Sequence, residues 1–583
     1  MPRPLSRTLT ALVAAVATLL TTATTAAHAA ALNVVPVPAT THPTSSGAGW
    51  WTPIAHLNGA TYVTYLDAGL RVVVARQGAD GAWTSAVVDT GIAADAGHTQ
   101  PSIALDGDGY IHVFYGMHDN PMRYRRSDRP ESVTGGWTDR SAEIAAVAPE
   151  NVFTYPIPAT TPNGDVYLLI RSRGRHGELY RWQDAADTWS LVRRFGSESG
   201  YTFYPDAMVA DDAGDLHIAF EWAKVQPRPE RHLGSYVRYS PADDAFYQAG
   251  GARQELPITR ATSDVHQPMR AAETWDEWGV QGAKLTVDGQ RRPLIAFDYS
   301  LDGTTSGMRH RLSRRDGDRW AVTTMSAGYS HPDKPWITHS GGVTRYYFPD
   351  AAQNVRLRAS RDGGATWTDE QQLTSGRRYK SLAGHTSGGT DRLYLNALSA
   401  GELYVGLSTG GETLLADDFE DGAAQGWAPA GGSWSVVTDG TARYRQASLA
   451  GNNLATAGQS TWSDYSVRVS VKRLSHGAAP AVGISARYTG AGDRYGFNHS
   501  DGVLHIMKRV GGVPTVLASK PYPLETGRSY TFTATLTGRA LAFAVDGVQE
   551  LTAVDGSHTA GGIALATYNA TASFDDVRVT AGW

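Results

Sequence analysis

No cysteine occurs among the 583 residues. That excludes disulfides, thiol nucleophiles and thiolate metal sites, and leaves buried apolar surface as the source of stability, which a chain of this length can supply. Long apolar runs are also missing. Past the first thirty residues no window reaches eighteen apolar positions, so no membrane-spanning helix is expected. Blocks of like charge are absent too. The net charge is −5 with acids and bases interspersed, which argues against nucleic acid and anionic membranes as partners. Helix-period patterns are scarce. The chain is filled instead with glycine (63), tyrosine (27) and tryptophan (16), a composition that suits short strands, tight turns and aromatic surfaces for sugars.

The first residues stand apart. "MPRPLSR" is a basic segment, "LTALVAAVATLL" an apolar one, and Ala27-His28-Ala29 fits a cleavage site. Residues 1–29 therefore read as a signal peptide, and a secreted, extracellular protein is expected. Beyond them, alternating runs such as "YIHVFYG", "DVYLLIR" and "DLHIAFEW" recur between Gly, Asp and Asn, which predicts an all-β chain. An aromatic closes a polar turn at Trp83, Trp137, Trp189, Phe246, Trp320 and Trp367, and the last ends an Asp-box, "SRDGGATW". A residue followed by proline opens a strand in phase with these, at Gln100-Pro101, Tyr155-Pro156, Tyr204-Pro205, Gln267-Pro268 and Lys334-Pro335. Two markers repeating at roughly fifty residues predict the four-stranded blades of a β-propeller. Six units are visible. A seventh is expected from "DRLYLNALSAGELYVGLS" joined by an N-terminal strand near "GWWTPIAHL".

The repeat stops near Leu414, where longer alternating strands begin. These predict a concanavalin-like jelly-roll β-sandwich over 413–583, after a propeller over 30–412. Accessory domains of this kind occur on carbohydrate enzymes, so a carbohydrate-binding role and a purely structural one both stand. Asp418, Glu420 and Asp576 fall where its first and last strands should meet and offer oxygen ligands for a structural calcium.

Hairpin arithmetic locates a site. If Pro101–Asp106 pairs with Tyr110–Met117 about a turn at Asp108, His98 and His118 oppose each other at the open end. In the next unit, Tyr155 and Arg171 oppose each other about an Asn163-Gly164 turn. In the third, Tyr204 opposes Glu221 and Trp222. Successive blades place these ends on one rim, so His98, His118, Tyr155, Arg171 and Tyr204 should ring one pocket. Two imidazoles, two phenols and a guanidinium, with no carboxylate pair and no nucleophile, suit β-elimination at a uronic acid. The arginine neutralises the carboxylate while His or Tyr takes the C5 proton and Tyr or His protonates the departing O4. No cofactor is needed, because Arg171 takes the part a metal plays in other lyases.

At these residues, "HTQPSIALDGDGYIHVFYGMHDNPMRYRRS", "FTYP…YLLIRSR" and "FYPD…LHIAFEW", the chain resembles the BNR-4 type propeller lyases over roughly residues 45–410. That group includes ulvan lyases and lyases of L-rhamnosyl-α-1,4-D-glucuronate ends in plant gums. The resemblance implies cleavage of the rhamnose–glucuronate bond to a 4,5-unsaturated uronate, with a uronic-acid polysaccharide as partner. It implies a catalytic set of His98, His118, Tyr155, Arg171 and Tyr204, with Tyr155 as acid and a candidate base, a histidine as the alternative base, and Arg171 on the carboxylate. Substrate contacts are expected from Arg231, His232 and Trp222, and from Tyr201, which is also the alternative second tyrosine. "GMHDN" departs from the asparagine-rich form usual at that strand end, so the polymer is not named. Two other classes stay open: a propeller glycoside hydrolase, an α-L-rhamnosidase on the same linkage, and a non-catalytic glycan-binding protein. Sialidases share Asp-boxes, but their arginine triad cannot be assembled here. A monomer is expected.

Overall fold

A computed structural model describes residues 32–581 apart from 79–80, 96–97, 174, 226–229, 327–332, 341, 388, 399–400, 410–412, 538 and 547. The signal-peptide reading of residues 1–29 lies outside the described residues. Strands dominate, and among the described residues the one α-helix is Ser141–Val147.

Seven antiparallel sheets form the blades of a propeller. Their innermost strands are Ile54–Leu57, Ser102–Leu105, Phe153–Thr160, Tyr201–Ala210, Val280–Val287, Trp336–Ser340 and Ala383–Ser387. Each inner strand touches the next, and the seventh touches the first, so the ring is closed. The aromatics that mark the repeat stand at the outer edge of blades one to six: Trp83, Trp137, Trp189, Phe246 and Trp320 lie in the outermost strands, and Trp367 lies just before one. Neighbouring blades share their apolar side chains. Phe114, Phe153, Tyr180 and Trp189 fill the space between blades two and three, and Phe203, Phe220 and Val237 meet Leu169 and Leu179 between three and four. Second strands are consequently buried on both faces, as in Ala60–Leu66 and Val166–Ser172. At the hairpin turns an aspartate recurs. Asp67, Asp106, Asp211, Asp288 and Asp350 each accept the backbone N–H four residues on, at 2.7–3.0 Å, which fixes the turn and explains motifs such as "DGDG".

Two details of the repeat differ from expectation. The strand that completes the seventh blade is Leu32–Pro36, paired with Leu403–Thr409 as its outermost member. The "GWWTPIAHL" segment instead supplies the inner strand of blade one, Ile54–Leu57. Gln267-Pro268 does not open an inner strand either. It ends Asp264–Gln267, an extra strand on the third strand of blade four, and the inner strand of blade five follows at Val280.

Residues 413–581 form a separate antiparallel sheet system around one core, in which Val467, Val469, Phe497, Phe532, Phe543 and Phe574 are fully buried. Two long strands, Tyr465–Gly490 and Gly562–Ala581, pair with different neighbours along their lengths.

Deleting residues 32–36 would remove a five-residue ladder and the packing of Leu32 and Val34. The calorimetric midpoint of the propeller is expected to fall by about 5 °C or more; an unchanged midpoint would show that the seventh blade does not need its outer strand.

Candidate functional site

The inner strands of blades three, four and five each lose register at the same level, at Thr154/Ile157, Pro205/Ala207 and Gln281/Lys284. A bulge turns a side chain out of the alternating pattern, and here it does so beside the propeller axis. Tyr155 sits in the first bulge with a positive φ of 65°, a costly conformation for an aromatic residue that the surrounding packing must impose. Its ring stacks on Trp51 at 5.2 Å and lies 5.5 Å from His98 and 5.6 Å from Tyr204. The Arg171 guanidinium covers both phenols, 4.6 Å from Tyr155 and 4.9 Å from Tyr204. Arg231 covers Tyr204 from another side at 4.3 Å and lies 5.1 Å from Trp50.

The two histidines meet face to face, ring centroids 3.5 Å apart and planes 9° from parallel. Hairpin pairing is not what joins them. The blade-two ladder ends at Ser102 opposite Phe114; the chain then turns away, and His118–Asn120 adds to the inner edge of blade three, with His118 opposite Thr154. His98 stands in the preceding loop. A residue that sequence reasoning missed holds the pair: the Asp95 carboxylate meets His98 Nδ1 at 2.8 Å and His118 Nδ1 at 2.7 Å. An aspartate three residues before a histidine was the signal available. Since a carboxylate accepts, each Nδ1 carries its hydrogen there and each Nε2 lone pair faces outward. The structure thus gathers His98, His118, Tyr155, Arg171, Tyr204 and Arg231 into one group, joined by Asp95, Trp50 and Trp51.

Three other expected contacts lie elsewhere, for one reason. Side chains alternate across a strand, and Tyr201, Trp222 and His232 all point away from the face that carries Tyr204, Glu221 and Arg231. Trp222 is fully buried in the core between blades three and four, its indole donating to Ser263 Oγ at 3.0 Å. His232, opposite Trp222 in the ladder, is also buried and pairs with Glu273 at 2.5 Å. Tyr201 packs on Trp275 at 5.0 Å and under Arg260 at 3.5 Å. None of the three lines the central pocket.

The electrostatics sort the central groups. Burial pushes the Tyr155 phenol above its ordinary pKa despite the opposing pull of Arg231 and Arg171, so it is a protonated donor. Burial also lowers His98, against the raising influence of Asp95, so its imidazole is neutral. Beneath them Asp206 and Glu221 are buried 3.8 and 3.5 Å from Arg231. Burial holds both carboxyls above the usual range, for Asp206 with the added repulsion of Glu221. Lys284, pulled down to about 7 by burial, donates to the Trp50 carbonyl at 3.1 Å.

Among the described residues, Asp95, His98 and His118 are the group close enough to share an ion, their ligating atoms within 4.8 Å. The nearly parallel rings aim both Nδ1 atoms side by side at the carboxylate, so the set suits proton sharing better than metal ligation. The expected calcium ligands form no such group. Asp418 and Glu420 accept the backbone N–H of Glu420 and Ala442, and Asp576 is exposed.

Residues 60–327 match the model described as "BNR repeat-containing family member". Two curated ulvan lyases are similar to the protein: one of Pseudoalteromonas sp. (strain PLSV), 25% identical over 38% of this chain and 51% of its own length, and one of Nonlabens ulvanivorans, 24% identical over 38% and 53%. The chain spans about half the length of these relatives. A solved ulvan lyase bound to a glucuronate–rhamnose-3-sulfate saccharide covers 65% of this chain and 95% of its own at a TM-score of 0.51 and 18% identity, a likeness of fold.

Because Asp95 raises the His98 pKa, Asp95→Asn should lower it further, read by imidazole NMR titration. A value unchanged from wild type would mean that the carboxylate does not hold the ring.

Proposed function

We propose that the protein is a secreted polysaccharide lyase acting on L-rhamnosyl-α-1,4-D-glucuronate linkages. The observation that carries this reading is the opposed tuning of two adjacent groups, a neutral imidazole at His98 and a protonated phenol at Tyr155, their rings 5.5 Å apart. Environments that push pKa values apart assign base and acid. The similarity to ulvan lyases supports the same substrate class.

Arg171 pairs with the uronate carboxylate and stabilises the charge that builds on it as the C5 proton leaves. His98 Nε2 takes that proton, and the resulting imidazolium is held by Asp95 through Nδ1. The electron pair of the C5–H bond forms the C4–C5 double bond, the C4–O4 bond breaks, and Tyr155 gives its proton to O4. The products are a 4,5-unsaturated uronate and a new sugar end, with no water consumed. Arg231 lines the pocket and Tyr204 packs beside Tyr155.

Incubation with ulvan or gum arabic should produce the ultraviolet absorbance of the conjugated uronate. Saturated rhamnose without that absorbance would identify a hydrolase; retention without product would identify a binding protein. His98→Asn and Tyr155→Phe should each lower kcat about a hundredfold or more with KM little changed. The base must be neutral and its pKa is depressed, so kcat/KM should hold as pH falls past 6.5, the ordinary histidine value, and drop only below it. An acid limb above 6.5 would assign the base elsewhere.

A further inference from the structure

The C-terminal sheet system presents a face that the lyase chemistry does not use. Along it the ladders put Ala566, Gly483, Asn498 and His505 in one row, and Ala564, Ser485, Gly496 and Met507 in the next. The opposite face of the same strands carries Val482, Ile484, Phe497, Leu504 and Ile506 into the core. A sheet whose outward positions are Gly, Ala and Ser is a trough rather than a flat wall. Its volume is about 450 Å³, within the range of ligand sites. Tyr568, 45% exposed, stands on its rim beside Asn452. No acidic residue lines it.

At one end Arg494 and Arg509 lie directly opposite each other across two strands. Like charges in that position destabilise a sheet. Arg494 is buried besides, and both the burial and the Arg509 charge lower its pKa. Each guanidinium donates to a backbone carbonyl, of Ala491 and Gly512 respectively. Among the described residues neither has a carboxylate within 4.0 Å, whereas in the same domain Arg443 pairs with Asp575 and Arg487 with Asp464.

We propose that this trough is a saccharide-binding site whose arginine pair takes the anionic group of an acidic sugar, with Tyr568 stacking on a neighbouring ring. Two guanidiniums without a counter-ion are complementary to a carboxylate or sulfate ester, and the small-residue floor lets a pyranose approach the backbone. The site is independent of the elimination chemistry and would hold the enzyme on its polymer.

The test uses the full chain and calorimetric titration with polygalacturonate, which carries only carboxylates, carrageenan, which carries only sulfate esters, and neutral dextran. At least one anionic polymer should bind, the tighter one naming the anion, and dextran should not. Arg494→Gln with Arg509→Gln should weaken one class of sites by about tenfold or more, and Tyr568→Ala should weaken the same class. Arg171→Gln, which disables only the propeller pocket, should leave that class intact. Because the substitutions relieve repulsion, the thermal midpoint should stay level or rise. The proposal fails if neither anionic polymer binds, if dextran binds equally well, or if the double variant binds as the wild type does.

Discussion

One carboxylate, Asp95, holds both imidazoles of the centre in place. Two imidazolium ions 3.5 Å apart would repel each other by about 5 kcal/mol at an effective dielectric of about 20. Burial and that repulsion both lower the His98 pKa, and the Asp95 anion opposes them. The same contact fixes both tautomers and turns both Nε2 edges the same way. Removing either ring would leave the other oriented, whereas removing the carboxylate would release both.

Beside this pair lies a second set of ionisable side chains, largely buried. Arg231 bridges the aromatic faces above to Asp206 and Glu221 below, and Lys284 holds the Trp50–Trp51 backbone from the adjoining blade. Trp51 in turn backs the Tyr155 ring. The strained backbone at Tyr155 persists because aromatic rings and guanidiniums confine its side chain on several sides. Blades one, three, four and five thus hold a single phenol in place, which is how a ring of separate sheets achieves the rigidity of one element.

The repeat was readable because it rests on local patterns: a turn, an aromatic closing it, and a proline at the inner strand. Where a blade uses other means, the pattern misleads. Blade five bulges at Gly282 instead of a proline, and the proline that seemed to mark it closes an added strand. Tyr155 and Arg171 were readable for the same reason, since both sit at the open end of one hairpin, whereas His98 stands in a loop and His118 has joined the inner edge of blade three. Their partners were not. Asp95 and Trp51 come from loops, Trp50 from the end of a 3-10 helix and Lys284 from blade five, so no spacing connects them to the hairpins. Tyr201, Trp222 and His232 miss the pocket by one step of strand alternation, which adjacency in sequence hides.

The outer strand of the seventh blade carries a consequence for how the molecule assembles. Leu32 pairs with Ser408, so the earliest strand of the propeller has no partner until nearly the whole ring has been synthesised. Contacts so distant along the chain are slow to form, and until they do Leu32–Pro36 is an unpaired edge with apolar side chains, open to the wrong neighbour. The circle is sealed by its beginning, the first strand of the propeller closing against its last blade.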